Sequence, residues 1–325
     1  MSVAAIVEPS TLVLLVGPPF LLVATRVARV RAHALIALLQ DSTPVTLILA
    51  WIGLAVALAV HAWAVAAIAA GLSAYHVLVL YRLARRKATP RWVGHAPTTT
   101  VALANIYVDN DELDISAQQL LGAGADVLVV VETTPAFRAA FDAAGGTDRY
   151  PHRTFDPDDD SAYAVSLYSA VKPSVIEMID IGELRAATAT IAVGGQELQV
   201  VGAFPMAAVE RGGYSTWRRQ VRALSNFAAR VQSPLVVAGD LNSTVHRSGF
   251  ADLDRAGLHD AHGALGVGWR GSFMLGARGL FARLPLVRLD HALTNRWVWA
   301  TDVRDLDNAG SDHRPFVVTL AVRAD

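Results

Sequence analysis

The chain has 325 residues, enough for one large domain with an appendage or for two domains. It contains no cysteine, which excludes a disulfide framework and a thiolate metal site. Its hydrophobic fraction of 53% is high for a soluble globular chain, while its aromatic fraction of 7% is ordinary. The excess therefore consists of aliphatic residues and alanine.

Charge is distributed unevenly between the two parts of the chain. Residues 1–97 carry 8 Lys and Arg against 2 Asp and Glu. Residues 98–325 carry 20 against 27, a net charge of −7. Because nucleic-acid-binding domains usually present a basic surface, this balance argues against nucleic acid as a partner.

Uncharged stretches near the N-terminus predict helices that cross a membrane. Residues 42–81 lack Asp, Glu, Lys and Arg, and as one helix they would measure about 60 Å, twice the bilayer core. We therefore predict a hairpin of two spans, residues 44–60 and 62–81, with His61 near the turn. A pair of buried core helices is the alternative. Residues 11–25 contain Pro18 and Pro19, and we favour a third span there over a re-entrant or interfacial helix.

Basic residues follow both ends of this apolar region. They are Arg26, Arg29 and Arg31 after the first stretch and Arg82, Arg85, Arg86, Lys87 and Arg91 after the last. The positive-inside tendency places both clusters, and the C-terminal part, in the cytoplasm. Residues 88–97, with Pro90 and Pro97, are predicted as a linker. The expected division is a membrane region at 1–87, this linker at 88–97 and a folded domain at 98–325.

The C-terminal part alternates strands and helices. Strands are predicted at residues 101–108, 125–131, 163–168, 187–193, 198–203, 234–238, 289–293 and 316–322. Helices are predicted at 113–123, 135–143 and 215–231, and a loop at 150–160. Many strands in series with few crossovers favour a mixed or antiparallel layered α/β sandwich over a doubly wound sheet.

Polar side chains stand where the apolar strands end. In chain order they are Asn105, Glu132, Asp240, Asn242, Asp290 with His291, and Asp312 with His313. Asp240 and Asn242 are one residue apart, which points both to the same side of an extended chain. Asp290 is expected to close its strand. Each residue alone could be an ordinary turn or capping residue. Together they form an oxygen-rich set that predicts Mg²⁺ or Mn²⁺ rather than zinc.

Five segments carry a resemblance to a known family. They are residues 105–110 (NIYVDN), 125–132 (ADVLVVVE), 236–243 (VVAGDLNS), 288–293 (RLDHAL) and 310–315 (GSDHRP). Over residues 98–322 the chain resembles the endonuclease/exonuclease/phosphatase superfamily, and the layout is similar to that of its membrane-anchored bacterial members. In that subgroup the domain often lies outside the cell. This expectation conflicts with the arginine count, so the side of the membrane stays open.

The resemblance implies a four-layer α/β/β/α sandwich preceded by transmembrane helices, and a divalent-metal phosphoesterase. The implied metal ligands are Glu132, Asn105 and Asp312. His313, oriented by Asp290, would polarise the attacking water or steady the scissile phosphate. Asp240 would hold or deprotonate that water, and Asn242 would bind a phosphate oxygen.

One position departs from the family pattern. Many members have a histidine before a proline where this chain has Phe204 and Pro205. Phenylalanine cannot donate a proton or a hydrogen bond. Either the leaving group needs little protonation, or Arg211, Tyr214 or Arg218 substitutes, or catalysis is lost.

Three functions follow from these observations. The first is a membrane-anchored phosphoesterase acting on a lipid-linked or small phosphorylated substrate, with the lipid bilayer as a partner. The second is a nuclease, for which the basic cluster Arg211, Arg218, Arg219 and Arg222 would supply the groove. The third is a catalytically impaired member that binds a lipid or a protein partner in an envelope assembly.

Overall fold

Apolar helices come first in the chain. The structure is a computed structural model and describes residues 8–31, 33–154, 164–274, 284–307 and 309–324. Its N-terminal helices are α1 (Pro9–Val27), α2 (Ala34–Asp41), α3 (Thr43–Thr46), α4 (Ile48–Ala59) and α5 (Trp63–Ala84). Both α1 and α5 are long and apolar enough to cross a membrane. A third span exists only if α2 and the α3–α4 segment, which meet at 72°, are taken as one broken span.

The segment expected to span at residues 44–60 differs most from its prediction. It is divided between α3 and α4, and α4 has 12 residues. A helix of that length measures about 18 Å, well short of the bilayer core of about 30 Å. The turn predicted near His61 is present, since this residue has a φ of +60° between α4 and α5. The segments predicted at 11–25 and 62–81 correspond to α1 and α5.

Strands and short helices follow a 3₁₀ turn at Arg91–His95. The strands are β1 (Thr98–Asn105), β2 (Val127–Val131), β3 (His152–Arg153), β4 (Val165–Ser169), β5 (Val175–Ile181), β6 (Leu184–Val193), β7 (Gln196–Ala203), β8 (Leu235–Asp240), β9 (His259–Asp260), β10 (Phe273–Met274), β11 (Pro285–Val287), β12 (Asp290–Thr294), β13 (Val298–Asp305) and β14 (Phe316–Val322). The helices are α6 (Leu113–Gly122), α7 (Pro135–Ala143), α8 (Gly146–Arg149), α9 (Gly213–Arg230), α10 (Ala251–Arg255) and α11 (Ala261–Leu265).

Two six-stranded mixed sheets pack face to face. One has the order β13-β14-β1-β2-β4-β3 and the other β5-β6-β7-β8-β12-β9. Alternation along β1 sends Val101 and Leu103 into the core between the sheets and Ala102 and Ala104 toward α6 and α7. On the far side, α9 and α10 cover the second sheet. The result is the α/β/β/α sandwich that the sequence predicts.

Several elements differ from the predicted ones. Strands β5 and β13 and the two- and three-residue strands were not predicted, nor were α2, α10 and α11. Residues 155–163 lie outside the described residues. They include part of the predicted loop at 150–160 and the first residue of the strand predicted at 163–168. The described part of that strand is β4.

Strand direction brings the polar strand ends to one edge of the sandwich. β1 and β2 are parallel, and β14 runs antiparallel to β1 with Phe316 opposite Leu103. β12 runs antiparallel to β8 with Asp290 opposite Asp240. Asp290 therefore begins its strand, and the expectation that it closes one is wrong. Because antiparallel neighbours run in opposite directions, the start of β12 lies beside the end of β8.

Gly239 permits the close approach of β8 to β7. A Cβ atom at this position would lie 1.7 Å from the carbonyl oxygen of Ala203, closer than any real contact. Glycine is therefore required directly before Asp240, which explains physically the Gly-Asp pair in the motif.

Asp305, at the end of β13, is the centre of a buried polar group. Its carboxylate accepts a hydrogen bond from Arg288 Nη2 at 2.8 Å and lies 3.4 Å from His262 Nε2. Burial acts to raise the pKa of Asp305, but the hydrogen bond to His262 and the charge of Arg288 outweigh burial and hold this pKa below its usual range.

Asp41, at the bend between α2 and α3, attaches the N-terminal helices to the sandwich. Its Oδ1 accepts hydrogen bonds from the backbone N of Thr244 at 3.0 Å and from Thr244 Oγ1 at 3.1 Å. Its Oδ2 accepts from Arg247 Nε at 3.0 Å and also from Nη2. Both members of this ion pair are buried. The Arg247 guanidinium in turn lies 4.3 Å from the ring centroid of Trp217.

Candidate active site

A buried group of two carboxylates and one imidazole lies at the edge of the sandwich where the polar strand ends meet. His313 Nδ1 lies 2.7 Å from Asp290 Oδ2, and His313 Nε2 lies 3.6 Å from Asp240 Oδ2. One ligand atom from each of these three residues lies within 4.8 Å of the others. The structure thus brings together three residues that the sequence placed on different strands.

Asn105 connects this group to Glu132 and joins the two sheets. Its Nδ2 donates to Glu132 Oε1 at 2.7 Å and to Asp240 Oδ2 at 3.1 Å. Its Oδ1 accepts from the backbone N of Tyr107 at 2.9 Å. Asn105 therefore orients two carboxylates with its amide group, a role that its strand-end position alone did not reveal.

Glu132 leaves the end of β2 in a strained conformation. Its φ is +56°, in the left-handed region that non-glycine residues rarely occupy. Its Oε2 accepts a hydrogen bond from the backbone N of Val108 at 2.9 Å. Tyr107 and Asn242 also have positive φ values, of +61° and +48°. Such backbone strain clusters at functional sites, where surrounding contacts hold it in place.

Burial and mutual charge set the protonation of the central group. Burial raises the pKa of Asp240 to about 7, and the nearby charge of Asp290 adds to this effect. Burial acts to lower the pKa of His313, but the charges of Asp290 and Asp240 raise it to about 10. At neutral pH the imidazole is therefore cationic, while Asp240 is close to its midpoint and able to accept a proton.

The remaining carboxylates respond to the same environment. Burial acts to raise the pKa of Asp290, but the charge and hydrogen bond of His313 outweigh it and lower the pKa. Burial raises the pKa values of Glu132 and Asp312. A raised pKa means that the charged form of the carboxylate is unfavourable without a counter-ion. This is expected for a group that binds a cation.

Asn242 is oriented differently from the prediction. β8 ends at Asp240, and the backbone N of Asn242 donates to Asp240 Oδ1 at 2.8 Å in a turn. The Asn242 amide nitrogen donates to the carbonyl oxygen of Pro205 at 2.9 Å. The expectation of two side chains on one side of an extended chain is therefore wrong, because the left-handed conformation of Asn242 ends the strand.

Two serines and a phenylalanine that sequence reasoning missed support the group. Ser272 Oγ accepts from the backbone N of Asp290 at 3.1 Å. Ser311 Oγ donates to the carbonyl oxygen of Asn105 at 2.8 Å and accepts from the backbone N of His313 at 3.0 Å. The Phe273 ring centroid lies 5.1 Å from that of His313. Of these three residues, only Ser311 could have been found from the sequence, because it lies inside the Ser-Asp-His motif.

The residues suggested as replacements for the missing histidine lie in other surroundings. Phe204 is 5% exposed and packs in the core between the sheets. Tyr214 stacks on Trp217 with ring centroids 6.2 Å apart, and Arg218 Nη1 donates to the carbonyl oxygen of Arg31 at 3.3 Å. Arg211 is exposed on the turn before α9. Their part in substrate binding stays a prediction.

The donor set of the group suits a hard divalent cation. Its donors are carboxylate oxygens, with the Asn105 amide oxygen beside them; the cationic imidazole of His313 supplies no donor, and the chain has no thiol. Mg²⁺ and Mn²⁺ prefer such oxygen ligands. The acidic cluster thus fits a divalent metal, although this chemistry does not distinguish magnesium from manganese.

Comparison with known proteins gives the family. The model of the endonuclease/exonuclease/phosphatase family matches residues 102–313. The chain belongs to this family. A comparison with curated proteins finds no significant match.

Solved structures of the family share this fold at low sequence identity. D. rerio TDP2 in complex with a single-strand DNA product is 16% identical, with a TM-score of 0.58 over 69% of this chain and 99% of that chain. Sphingomyelinase C from Streptomyces griseocarneus is 20% identical, with a TM-score of 0.50 over 69% and 99%. An endonuclease/exonuclease/phosphatase from Beutenbergia cavernae is 18% identical, with a TM-score of 0.52 over 70% and 72%.

Proposed function

We propose that the protein is a membrane-anchored, divalent-metal-dependent phosphoesterase that hydrolyses a phosphodiester or phosphomonoester, most simply a lipid-linked or small one. The observation that carries this proposal is the buried group of Asp240, Asp290 and His313, linked through Asn105 to Glu132. In a family member, this arrangement offers carboxylates for a divalent metal, an acceptor for the proton of water and a cationic imidazole for the phosphate. We also propose the division into a membrane region at 1–87, a linker at 88–97 and a catalytic domain at 98–325.

Glu132, Asn105 and Asp312 are the proposed metal ligands, with Asp240 and Asp290 close by. A bound Mg²⁺ or Mn²⁺ would supply positive charge against the phosphoryl oxygens and the leaving group. Asn105 would bind the metal through its amide oxygen, while its amide nitrogen holds the Glu132 carboxylate in place. The raised pKa values of Glu132 and Asp312 support this assignment, since a cation would relieve the cost of their buried charge.

The other residues act on water and phosphate. Asp290 holds His313 by its Nδ1 atom, which leaves Nε2 of the cationic imidazole to donate to a phosphate oxygen. Asp240, with a pKa of about 7, is the proposed acceptor of a proton from the attacking water. Asn242 uses one amide hydrogen on Pro205 and has a second for a phosphate oxygen.

A lipid-linked substrate has more support than nucleic acid. One structural neighbour is a sphingomyelinase and another holds a DNA product, so likeness of fold does not choose between them. Two helices able to span a membrane favour a substrate at the bilayer. Arg218 and Arg222 of α9 do line an open pocket of about 420 Å³ with Arg31 and Arg255. Asp252 pairs with Arg31 and with Arg255 in this pocket, and Arg219 pairs with Glu183 at 2.9 Å, so part of the basic charge there is already offset.

A catalytically impaired member is the second candidate. Phe204, where many members have histidine, lies in the core and offers no proton to a leaving group. Such a protein would bind a lipid or an envelope protein without hydrolysis.

The side of the membrane is a separate question. α1 and α5 both end beside the domain, so both basic clusters lie on its side of the membrane and support a cytoplasmic domain. Resemblance to membrane-anchored relatives supports the opposite side. Protease accessibility in intact cells and in inverted vesicles distinguishes the two.

The activity test uses the full-length protein in detergent. Mg²⁺ or EDTA is added, and hydrolysis is measured with phospholipids, small phosphodiesters, inositol phosphates and single-stranded DNA. We expect metal-dependent hydrolysis that is lost in Glu132→Gln and His313→Ala and kept in His259→Ala, a surface histidine distant from the group. Turnover that is unchanged by EDTA and by both substitutions contradicts the enzyme proposal. Lipid binding without turnover favours the impaired member.

A further inference from the structure

A cavity lies where the N-terminal helices meet the sandwich. Its volume is about 380 Å³, and its walls come from α1, α5, the segment after Asn242 and the region around β11 and β12. Backbone hydrogen bonds fix the end of α5 to the domain here, from Lys87 N to the oxygen of Ala264 and from Gly268 N to the oxygen of Leu83. The cavity is therefore bounded by both parts of the chain.

The cavity lies at the C-terminal ends of α1 and α5, the two helices that are long and apolar enough to cross a membrane. Arg26 lies in the last turn of α1 and Arg82 in the last turn of α5, and both line the cavity with Lys87. The wall toward the membrane region is apolar and includes Leu78, Val79 and Leu83 of α5. On the domain side, Trp269 and Leu286 line the cavity and expose 60% and 38% of their surface. The cavity wall therefore has a cationic part at the ends of the two helices and an apolar part along α5.

The three cations lack a counter-ion in the described part of the chain. Arg26 Nη1 donates to Thr43 Oγ1 at 3.1 Å and lies 3.2 Å from His246 Nδ1. Burial and then the charge of Arg26 lower the pKa of His246 to about 3, so both contacts of Arg26 are neutral at physiological pH. Among the described residues, no carboxylate lies within ion-pair distance of Arg26, Arg82 or Lys87.

The acidic residues in the cavity wall contact partners other than Arg26, Arg82 and Lys87. Each has a basic or imidazole group of its own: Asp41 has Arg247, Asp260 has His291 at 2.9 Å, and Asp254 has His259 at 3.1 Å. The wall therefore presents three cations that none of its carboxylates pairs with, and an anion entering from outside the chain would supply their counter-charge.

We propose that this cavity binds an anionic phospholipid, with the phosphate at Arg26, Arg82 and Lys87 and an acyl chain along the apolar face of α5. A soluble phosphate matches the cations but not the apolar wall. A zwitterionic lipid matches the apolar wall but gains less from three cations, because its own cationic headgroup opposes them. The site is separate from the Asp240–Asp290–His313 group, and its occupancy does not depend on hydrolysis.

The test measures lipid binding to the delipidated full-length protein in detergent. The probes are dioleoyl phosphatidylglycerol, dioleoyl phosphatidylcholine, glycerol 1-phosphate and inorganic phosphate, and the readouts are native mass spectrometry and the melting temperature. Arg82→Gln/Lys87→Gln removes two cavity charges. Arg85→Gln/Arg86→Gln removes two charges from the same segment that do not line the cavity. All four side chains are exposed, so we expect both variants to fold.

We expect phosphatidylglycerol to bind and stabilise the wild type and the Arg85/Arg86 variant, and to bind the Arg82/Lys87 variant about tenfold or more weakly. Equal loss of affinity in the two variants would mean diffuse attraction to the whole basic segment and would overturn the site. Equal binding of phosphatidylcholine, or full stabilisation by either soluble phosphate, would overturn the choice of ligand. If Arg82→Gln/Lys87→Gln melts at a lower temperature without lipid, Arg82→Gln alone supplies the same comparison.

Discussion

Removing the charge of Asp41 should strongly destabilise the protein by leaving Arg247 without a counter-ion, although Asp41 lies outside the sandwich. Asp41→Asn keeps the shape of the side chain and an acceptor for Thr244, but removes the negative charge opposite Arg247. The side chains of Asp41 and Arg247 are 8% and 4% exposed. A guanidinium this deeply buried cannot recover its hydration, so it is left without a counter-ion.

Breaking one partner of such a buried pair typically costs about 3–5 kcal/mol. For a domain of this size, that cost corresponds to a fall in melting temperature of roughly 6–20 °C. Arg31 and Asp252 supply the matched control, since they also join the N-terminal region to the domain, at 3.1 Å, but are 29% and 23% exposed. Arg31→Gln should cost about 1 kcal/mol or less.

The assay is thermal unfolding of the full-length protein in detergent, followed by tryptophan fluorescence. Arg247→Met and the double variant Asp41→Asn/Arg247→Met complete a double-mutant cycle, in which we expect the double variant to be more stable than the sum of the single losses predicts. Equal destabilisation by Asp41→Asn and Arg31→Gln, or strictly additive losses in the cycle, would refute the claim that a buried charge pair holds this junction.

Three further predictions concern the domain. Gly239→Ala should push β7 and β8 apart and lower stability by about 1–3 kcal/mol or more, while Gly122→Ala, where a Cβ meets nothing within 4 Å, should be neutral in the same melting assay. The depressed pKa of Asp305 means that its carboxylate stabilises the fold above its unfolded pKa of about 4 and loses this effect as pH falls below it. Asp305→Asn should therefore melt lower at pH 7 and show a flatter acid dependence; an unchanged dependence contradicts the assignment. Mg²⁺ at about a hundred times its Kd should stabilise the wild type by about 2.7 kcal/mol, and Glu132→Gln should abolish most of that shift in a melting experiment with EDTA as reference.

Local sequence signals were sufficient to predict a helix or strand where a single residue fixes its boundary. The helix predicted at 135–143 matches α7 at both ends, because Thr134 caps it by accepting from the backbone N of Phe137 and Pro135 begins it. Strand β13 was missed because a register shift between Ala300 and Asp302 breaks its alternation of apolar and polar residues. A period-two pattern cannot be recognised across such a bulge.

The candidate site was predictable in composition but not in geometry. A polar residue directly after a buried apolar run is a local signal, and it identified Asn105, Glu132 and Asp240. The bridging of Asn105 between carboxylates of both sheets depends on tertiary packing, as does the support of Asp290 by Ser272. A serine in a loop carries no signal of its own, because serine is common in turns.

The N-terminal helices also make specific contacts with the sandwich. Arg26 contacts His246, Gln40 accepts from the backbone N of Ser248 at 3.0 Å, and Arg31 pairs with Asp252. All three contacts fall on residues 244–252, which follow directly from the Asp240–Asn242 turn of the candidate active site. A tether alone would leave the domain free to rotate, whereas several contacts on one segment hold the strand-end edge in a fixed orientation to the helices. Such a fixed orientation would suit the proposed action on a substrate that is itself held in the bilayer.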